Sequence, residues 1–203
     1  MKKITSILAA IAILVVSAFT TEGGYKAGDK AADFKLKNID NKMVSMADYK
    51  DAKGLIVVFT CNHCPFAKKY ESRIMDLDKK YKSKGFPVIA ISPNDPSIVA
   101  DDSFENMQKL AKEKGYTFPY LFDETQNTAK EYGATKTPHV YLLKKEKDGY
   151  IVKYIGAIDD NADDAAAVKE KYVENAIASI LANKPITHDN TKAIGCSIKW
   201  KKS

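Results

Sequence analysis

The sequence predicts an α/β domain with a mixed central β-sheet flanked by helices. Short apolar runs rich in β-branched residues, such as Leu55-Ile56-Val57-Val58-Phe59, alternate with amphipathic stretches whose apolar residues recur every three or four positions. Toward the C-terminus two strand-like runs follow one another across a short charged turn, which adds an antiparallel hairpin and makes the sheet mixed. At 203 residues and 45% apolar composition, the chain is long enough for one domain with a full hydrophobic core.

The elements follow in order. Asp33–Leu36 and Met43–Met46 alternate apolar with polar residues, predicting a short hairpin around Asp40-Asn41 that extends the N-terminal side of the sheet. Leu55–Phe59 reads as a strand buried on both faces. From Pro65 to Lys82 the apolar residues Phe66, Tyr70, Ile74, Leu77 and Tyr81 keep helical spacing. Phe86–Ile91 is a second buried strand, Ser103–Lys114 a helix and Phe118–Phe122 a short strand. Thr125–Tyr132 predicts a short helix closed by Gly133. Val140–Leu143 and Ile151–Ile155 predict the hairpin, turning at Asp148-Gly149, and Ala162–Leu181 a long final helix.

The first residues read as a targeting segment: Lys2-Lys3, then apolar Ile4 to Val16, then the small-residue cleavage pattern Val16-Ser17-Ala18. The apolar stretch falls short of the ~20 residues of a membrane span. The expected organisation is a signal peptide at 1–18, a linker at 19–24, a domain at 25–182 and a C-terminal tail at 183–203. The domain is therefore expected in the periplasm or secreted, where disulfides persist. Membrane anchoring arises only if the leader stays uncleaved. The formal charge is +6, but all cations except Arg73 are lysines and no basic run carries interleaved aromatics, which argues against a nucleic-acid partner.

Cys61-Asn62-His63-Cys64 lies between the end of a buried strand and the start of a helix. Unpaired N–H groups and the helix dipole there favour an anion, so Cys61, expected just ahead of the helix, is a candidate nucleophilic thiolate. Cys64, one turn on, is placed to resolve a mixed disulfide at Cys61. His63 stabilises a neighbouring thiolate, making the disulfide a better oxidant. Pro65 suits the first helical turn. Alternatives are a static disulfide or a zinc half-site, whose remaining ligands would come from Cys196, His139, His188 or carboxylates. Thr137-Pro138-His139 precedes the strand Val140–Leu143, and an ordinary trans proline at a strand edge is the plain reading of it.

With both segments, the chain resembles the thioredoxin-like superfamily. Phe59-Thr60-Cys61-Asn62-His63-Cys64-Pro65 is similar to its active-site loop, and Thr137-Pro138 to its cis-proline segment, which faces the cysteines and receives the substrate backbone. Gly28-Asp29-Lys30-Ala31-Ala32-Asp33-Phe34-Lys35-Leu36 resembles the opening motif of the redoxin branch, shared by peroxiredoxins and periplasmic thiol-disulfide oxidoreductases. Ile194-Gly195-Cys196-Ser197-Ile198-Lys199-Trp200 resembles the tail of a peroxiredoxin-like, AhpC-TSA-like subgroup. The resemblance implies a thioredoxin-like fold, with Cys61, Cys64, His63 and Pro138 catalytic and Thr137 and Thr60 positioning substrate. It departs from thioredoxins, which carry Trp where Thr60 stands and Gly-Pro where Asn62-His63 stand.

The function so implied is extracytoplasmic thiol-disulfide exchange on protein thiols and disulfides, with a redox partner protein. No organic cofactor and no metal is required, because the dithiol carries two electrons. A thiol peroxidase is the runner-up. True peroxiredoxins place their peroxidatic cysteine at the position of Cys64, carry Thr or Ser at that of Cys61, and polarise peroxide with a downstream Arg. Here the sole arginine, Arg73, lies on the helix leaving the site. A third reading is a copper-binding module using Cys61, Cys64 and His63 or His139. Cys196 is either a third redox thiol or a small hydrophobe anchored beside Trp200.

Overall fold

The computed structural model describes residues 23–202; the expected signal peptide and most of the linker lie outside them. The strands are β1 (Lys30–Ala31), β2 (Lys35–Asn38), β3 (Met43–Ser45), β4 (Gly54–Phe59), β5 (Val88–Ser92), β6 (Tyr120–Phe122), β7 (Lys136–Thr137), β8 (His139–Glu146), β9 (Gly149–Gly156) and β10 (Cys196–Ser197). The helices are α1 (Pro65–Tyr81), α2 (Phe104–Lys114), α3 (Asn127–Tyr132) and α4 (Tyr172–Leu181). Eight strands form one sheet in the order β1-β9-β8-β4-β5-β6-β2-β3, parallel only across β4, β5 and β6, the mixed sheet the sequence predicts. Among the described residues no helix is long and apolar enough to cross a membrane.

Side chains on the central strands alternate between two cores, as a strand's period of two requires. Ile56, Val58, Val88, Ala90, Val140 and Leu142 face one side, where α1 contributes Tyr70, Ile74 and Leu77, α2 Met107, and α4 Val173 and Ile177. Leu55, Val57, Phe59, Ile89, Ile91 and Tyr141 face the other, covered by Ala129 and Tyr132 of α3, Phe34, Met46 and Ile198. Asp78 is the polar exception on the buried face of α1. It accepts from the Val88 amide (3.1 Å) and the Thr117 hydroxyl (2.8 Å), joining helix to sheet.

The long final helix is the one expected element that changes. Only Tyr172–Leu181 is helical, and Ala162–Lys171 is a loop containing one tight turn at Ala165–Ala167. Alanines favour a helix, but 163–167 are exposed and offer no apolar stripe to pack, so propensity alone does not suffice. The loop bonds to itself instead: Asp164 accepts from the Ala166 amide (2.8 Å) and Asp160 from the Lys169 amide (3.0 Å).

Two features of this frame place the site. Phe59 pairs with His139 in the antiparallel β4–β8 ladder, so continuing each chain by two residues brings Cys61 against Thr137. After α4 the chain returns along β9, where Thr191 packs on Gly156, whose positive φ and missing Cβ leave room for it. The chain then adds β10 beside β7, with Cys196 opposite Thr137.

Candidate active site

Cys61 and Cys64 lie in the turn between β4 and α1, Cys61 5% exposed and Cys64 not at all. The Cys61 Sγ is 3.2 Å from the Thr137 hydroxyl, and the Cys64 Sγ is 3.2 Å from the Thr137 carbonyl oxygen. Thr137 thus touches both sulfurs through different atoms. The Thr137–Pro138 peptide is cis, as the resemblance implies, and not an ordinary trans edge proline. Thr60 is buried and carries the β4–β5 pairing one residue further, its amide donating to Ile91 O at 2.8 Å.

The helix begins at Pro65, as the sequence predicts, but Cys61 does not sit at its cap. Pro65 is its first residue and Cys64 its N-cap, so the favourable end of the dipole serves Cys64 and not Cys61. The cause lies in the preceding turn, whose Asn62 and His63 amides are both taken by the Asp102 carboxylate, at 2.8 and 3.0 Å. The Cys64 thiol is held far below its ordinary range, at about 4, chiefly by the Cys61 S–H, with help from Cys196 and the Ala67 amide. The Cys61 thiol is pushed up correspondingly, by the same sharing with Cys64, by burial and by the negative charge of Asp102. One thiolate is thus strongly favoured, and a second is not.

Asp102 is the residue the sequence did not reveal. It is fully buried in the turn before α2, and its Oδ2 is 2.5 Å from His63 Nδ1 and 2.8 Å from the Asn94 amide nitrogen. A carboxylate only accepts, so Nδ1 of His63 carries the proton. The Cys61 sulfur, 3.6 Å from the same nitrogen, is a longer second contact. Asn62 completes the network by donating to Asp101 O and accepting from the buried Tyr120 hydroxyl (2.9 Å). No pattern in the sequence distinguishes Asp102 from its acidic neighbours, because its role depends on a tertiary approach of 40 residues.

Among the described residues, Cys61, His63 and Asp102 form a group with metal-ligand spacing. Both Asp102 oxygens are already filled by protein donors, so the trio is better read as a hydrogen-bonded cluster. His139 packs on the Tyr141 ring (centroids 4.9 Å) and accepts from the Thr135 amide; burial lowers its pKa to about 4. His188 is exposed and lies against Tyr172. Arg73 pairs with Asp159 at 2.7 and 2.8 Å and stacks on Tyr70.

Cys196 is half-buried and packs with Phe66 against the cluster of Cys61, Cys64 and Ala67. Its thiol is raised to about 11, mainly by burial and then by Cys64. Trp200 lies further along, under Lys130, packed on the second core. The tail is held by Gln126, a buried residue with φ +62°, whose Nε2 donates to Pro93 O and Lys199 O and whose Oε1 accepts from the Lys201 amide.

The comparisons agree with this geometry. The chain is 26% identical over 150 residues to the thiol-disulfide oxidoreductase ResA of Geobacillus thermodenitrificans, spanning 73% of this chain and 80% of that one. A solved but uncharacterized conserved protein of Geobacillus kaustophilus is 37% identical, with a TM-score of 0.80 over 88% of this chain and 94% of its own. A hypothetical protein of Sinorhizobium meliloti is 31% identical, with a TM-score of 0.81 over 89% and 97%. Solved thioredoxin domains share the fold at lower identity, so the thioredoxin-like expectation holds. The AhpC/TSA family profile matches residues 27–161, and the chain belongs to that family.

Proposed function

We propose that this chain is an extracytoplasmic thiol-disulfide oxidoreductase whose redox group is the Cys61–Cys64 pair. The observation that carries the reading is the single residue Thr137 facing both sulfurs at 3.2 Å, across from the helix cap. The name and extent of the ResA match support the reaction class. Location outside the cytosol rests on the N-terminal leader pattern, and substrates of this class are protein thiols and disulfides.

In the reduced site one proton is shared between two sulfurs. As a partner disulfide R–S–S–R′ reaches Cys61, the more exposed sulfur, Cys64 takes its proton and Cys61 attacks. The Cys61–S–R bond forms, R′S⁻ leaves and collects the proton from Cys64. The Cys64 thiolate then attacks Cys61 Sγ, closing the Cys61–Cys64 disulfide and releasing RS⁻. His63, held by Asp102, tunes this exchange, and Thr60, Thr137 and Pro138 line the approach. Because the thiolate is strongly stabilised, the pair should be less reducing than thioredoxin.

The test is the reduction potential of the Cys196→Ser chain in glutathione buffers, together with mixed-disulfide trapping by Cys64→Ser. A reversible two-electron couple less reducing than thioredoxin, with partners trapped on Cys61, is expected. No couple and no trapped adducts would sink the reading. Peroxidase chemistry lacks its cation here, since the Arg73 guanidinium is spent on Asp159.

A further inference from the structure

We propose that Cys196 is a third thiol of this site, exchanging with Cys64 so that the disulfide occupies two positions, Cys61–Cys64 and Cys64–Cys196. The inference rests on the dithiol reading and adds the tail to it. Its first support is placement. β10 runs antiparallel to β7 with Cys196 directly across from Thr137, the residue whose carbonyl oxygen lies 3.2 Å from the Cys64 sulfur. Cys196 therefore packs, with Phe66, onto the cluster of Cys61, Cys64 and Ala67.

The second support is that the tail is built to stay there. Ile198 is buried and donates to Thr135 O (3.2 Å), the Lys199 amide donates to Asn94 (2.8 Å), and Lys199 O accepts from Asp95 (2.9 Å) and Gln126 (2.8 Å). Asn94 also donates to Asp102, so one side chain ties the tail to the His63 turn. Gly195 lies so close to the Thr137 carbonyl that a Cβ would collide with it and crowd Pro138 N. A glycine at that point lets the strand approach closely enough for the next residue's sulfur to reach Cys64. A thiol fixed in this way reacts at a high effective concentration.

The step needs no outside oxidant once the Cys61–Cys64 disulfide exists. The Cys196 thiolate attacks Cys64 Sγ; the Cys196–Cys64 bond forms and the Cys64–Cys61 bond breaks. The electron pair goes to the Cys61 sulfur, which takes up the proton Cys196 lost. Oxidation state is unchanged. The result is a free Cys61 and a tail locked over the site.

The experiment uses the full chain, oxidised glutathione, acid quenching, alkylation after unfolding and peptide mapping. In Cys61→Ser, glutathione first adds to the half-buried Cys196, and Cys64 then displaces it. Expected is loss of both thiols and a cross-linked Cys64–Cys196 peptide pair. In the oxidised wild-type chain a fraction carries the alkylating label on Cys61 instead of Cys196. Gly195→Ala, which pushes the strand off Thr137, lowers the cross-link at least about tenfold. Glutathione that stays on Cys196 while Cys64 is alkylated overturns the proposal, as does a wild-type label found on Cys196 alone. Cys196→Ser, whose sole internal pairing is Cys61–Cys64, reports separately on the dithiol reading.

Discussion

Asp102 holds His63 from two directions: its Oδ2 lies 2.5 Å from the imidazole Nδ1, and its Oδ1 takes the His63 amide at 3.0 Å. The same Oδ1 also takes the Asn62 amide, so one fully buried carboxylate shapes the turn between the cysteines and orients its only ring. Every partner of this side chain donates, including the Asn94 amide nitrogen.

Asp102→Asn therefore points an N–H₂ group at a donor whichever way it is placed. The expected cost is about 2–3 kcal/mol in stability, from losing charge-assisted bonds and leaving a buried donor unpaired. Disulfide exchange should slow on the order of tenfold as His63 loses its orientation. Urea unfolding and exchange with a small disulfide measure the two effects. A variant matching wild type in both would remove Asp102 from the site.

Sharing between the sulfurs makes a second quantity measurable, the number of thiolates. Cys64 ionises at about 4, Cys61 is pushed up and Cys196 is raised to about 11. From about pH 5 to about 8 the reduced protein should therefore carry one thiolate, as a coupled pair does. Ultraviolet thiolate absorbance should be flat over that range and correspond to one sulfur. A midpoint near the ordinary thiol value of about 8.5 would contradict the sharing.

Arg73 offers a test that separates structure from chemistry. Its guanidinium lies between Asp159, Asn161 O and the Tyr70 ring, and Asp159 is 4% exposed. Arg73→Met removes the carboxylate's charged partner, leaving it the Tyr70 hydroxyl and the Asn161 amide, and should cost about 3 kcal/mol. Arg73→Lys keeps the charge but loses the planar guanidinium stacked on Tyr70, with a smaller cost. Exchange at the cysteines should persist in the lysine variant. A selective loss of thiol chemistry in a folded Arg73→Lys chain would mean that the arginine serves the sulfurs.

The sequence made the sheet and the cysteine turn legible because both depend on local pattern. The continuous run Leu55–Phe59 and the spacing of Tyr70, Ile74 and Leu77 reflect burial that each segment meets wherever it packs. Asp102, Asn94 and Gln126 are polar residues whose roles arise when distant loops converge, and nothing local marks them. The place of Cys61 off the helix cap is hidden for the same reason: the turn that holds it is bonded by Asp102, 40 residues away. At 162–171 alanine content misled, since the expected helix had no apolar face to pack there.

His139 supplies the clearest pH dependence. It is 8% exposed beside Tyr141, and burial alone lowers its pKa from 6.5 to about 4. Above pH ~6.5 the ring is neutral in both folded and unfolded chains and contributes no slope. Below that value the unfolded chain binds a proton the folded one refuses, so stability falls as pH drops. The loss levels off near the folded value, where both states are protonated. A shift of this size corresponds to about 3 kcal/mol across the window. His139→Phe keeps an aromatic ring against Tyr141 and removes the titration, giving up only a long contact from the Thr135 amide (3.4 Å). The difference in unfolding free energy between wild type and variant should therefore move steadily in the variant's favour between pH ~6.5 and ~4. Urea midpoints at intervals across that range give the curve. A difference that stays constant with pH would mean that His139 takes up its proton as readily folded as unfolded.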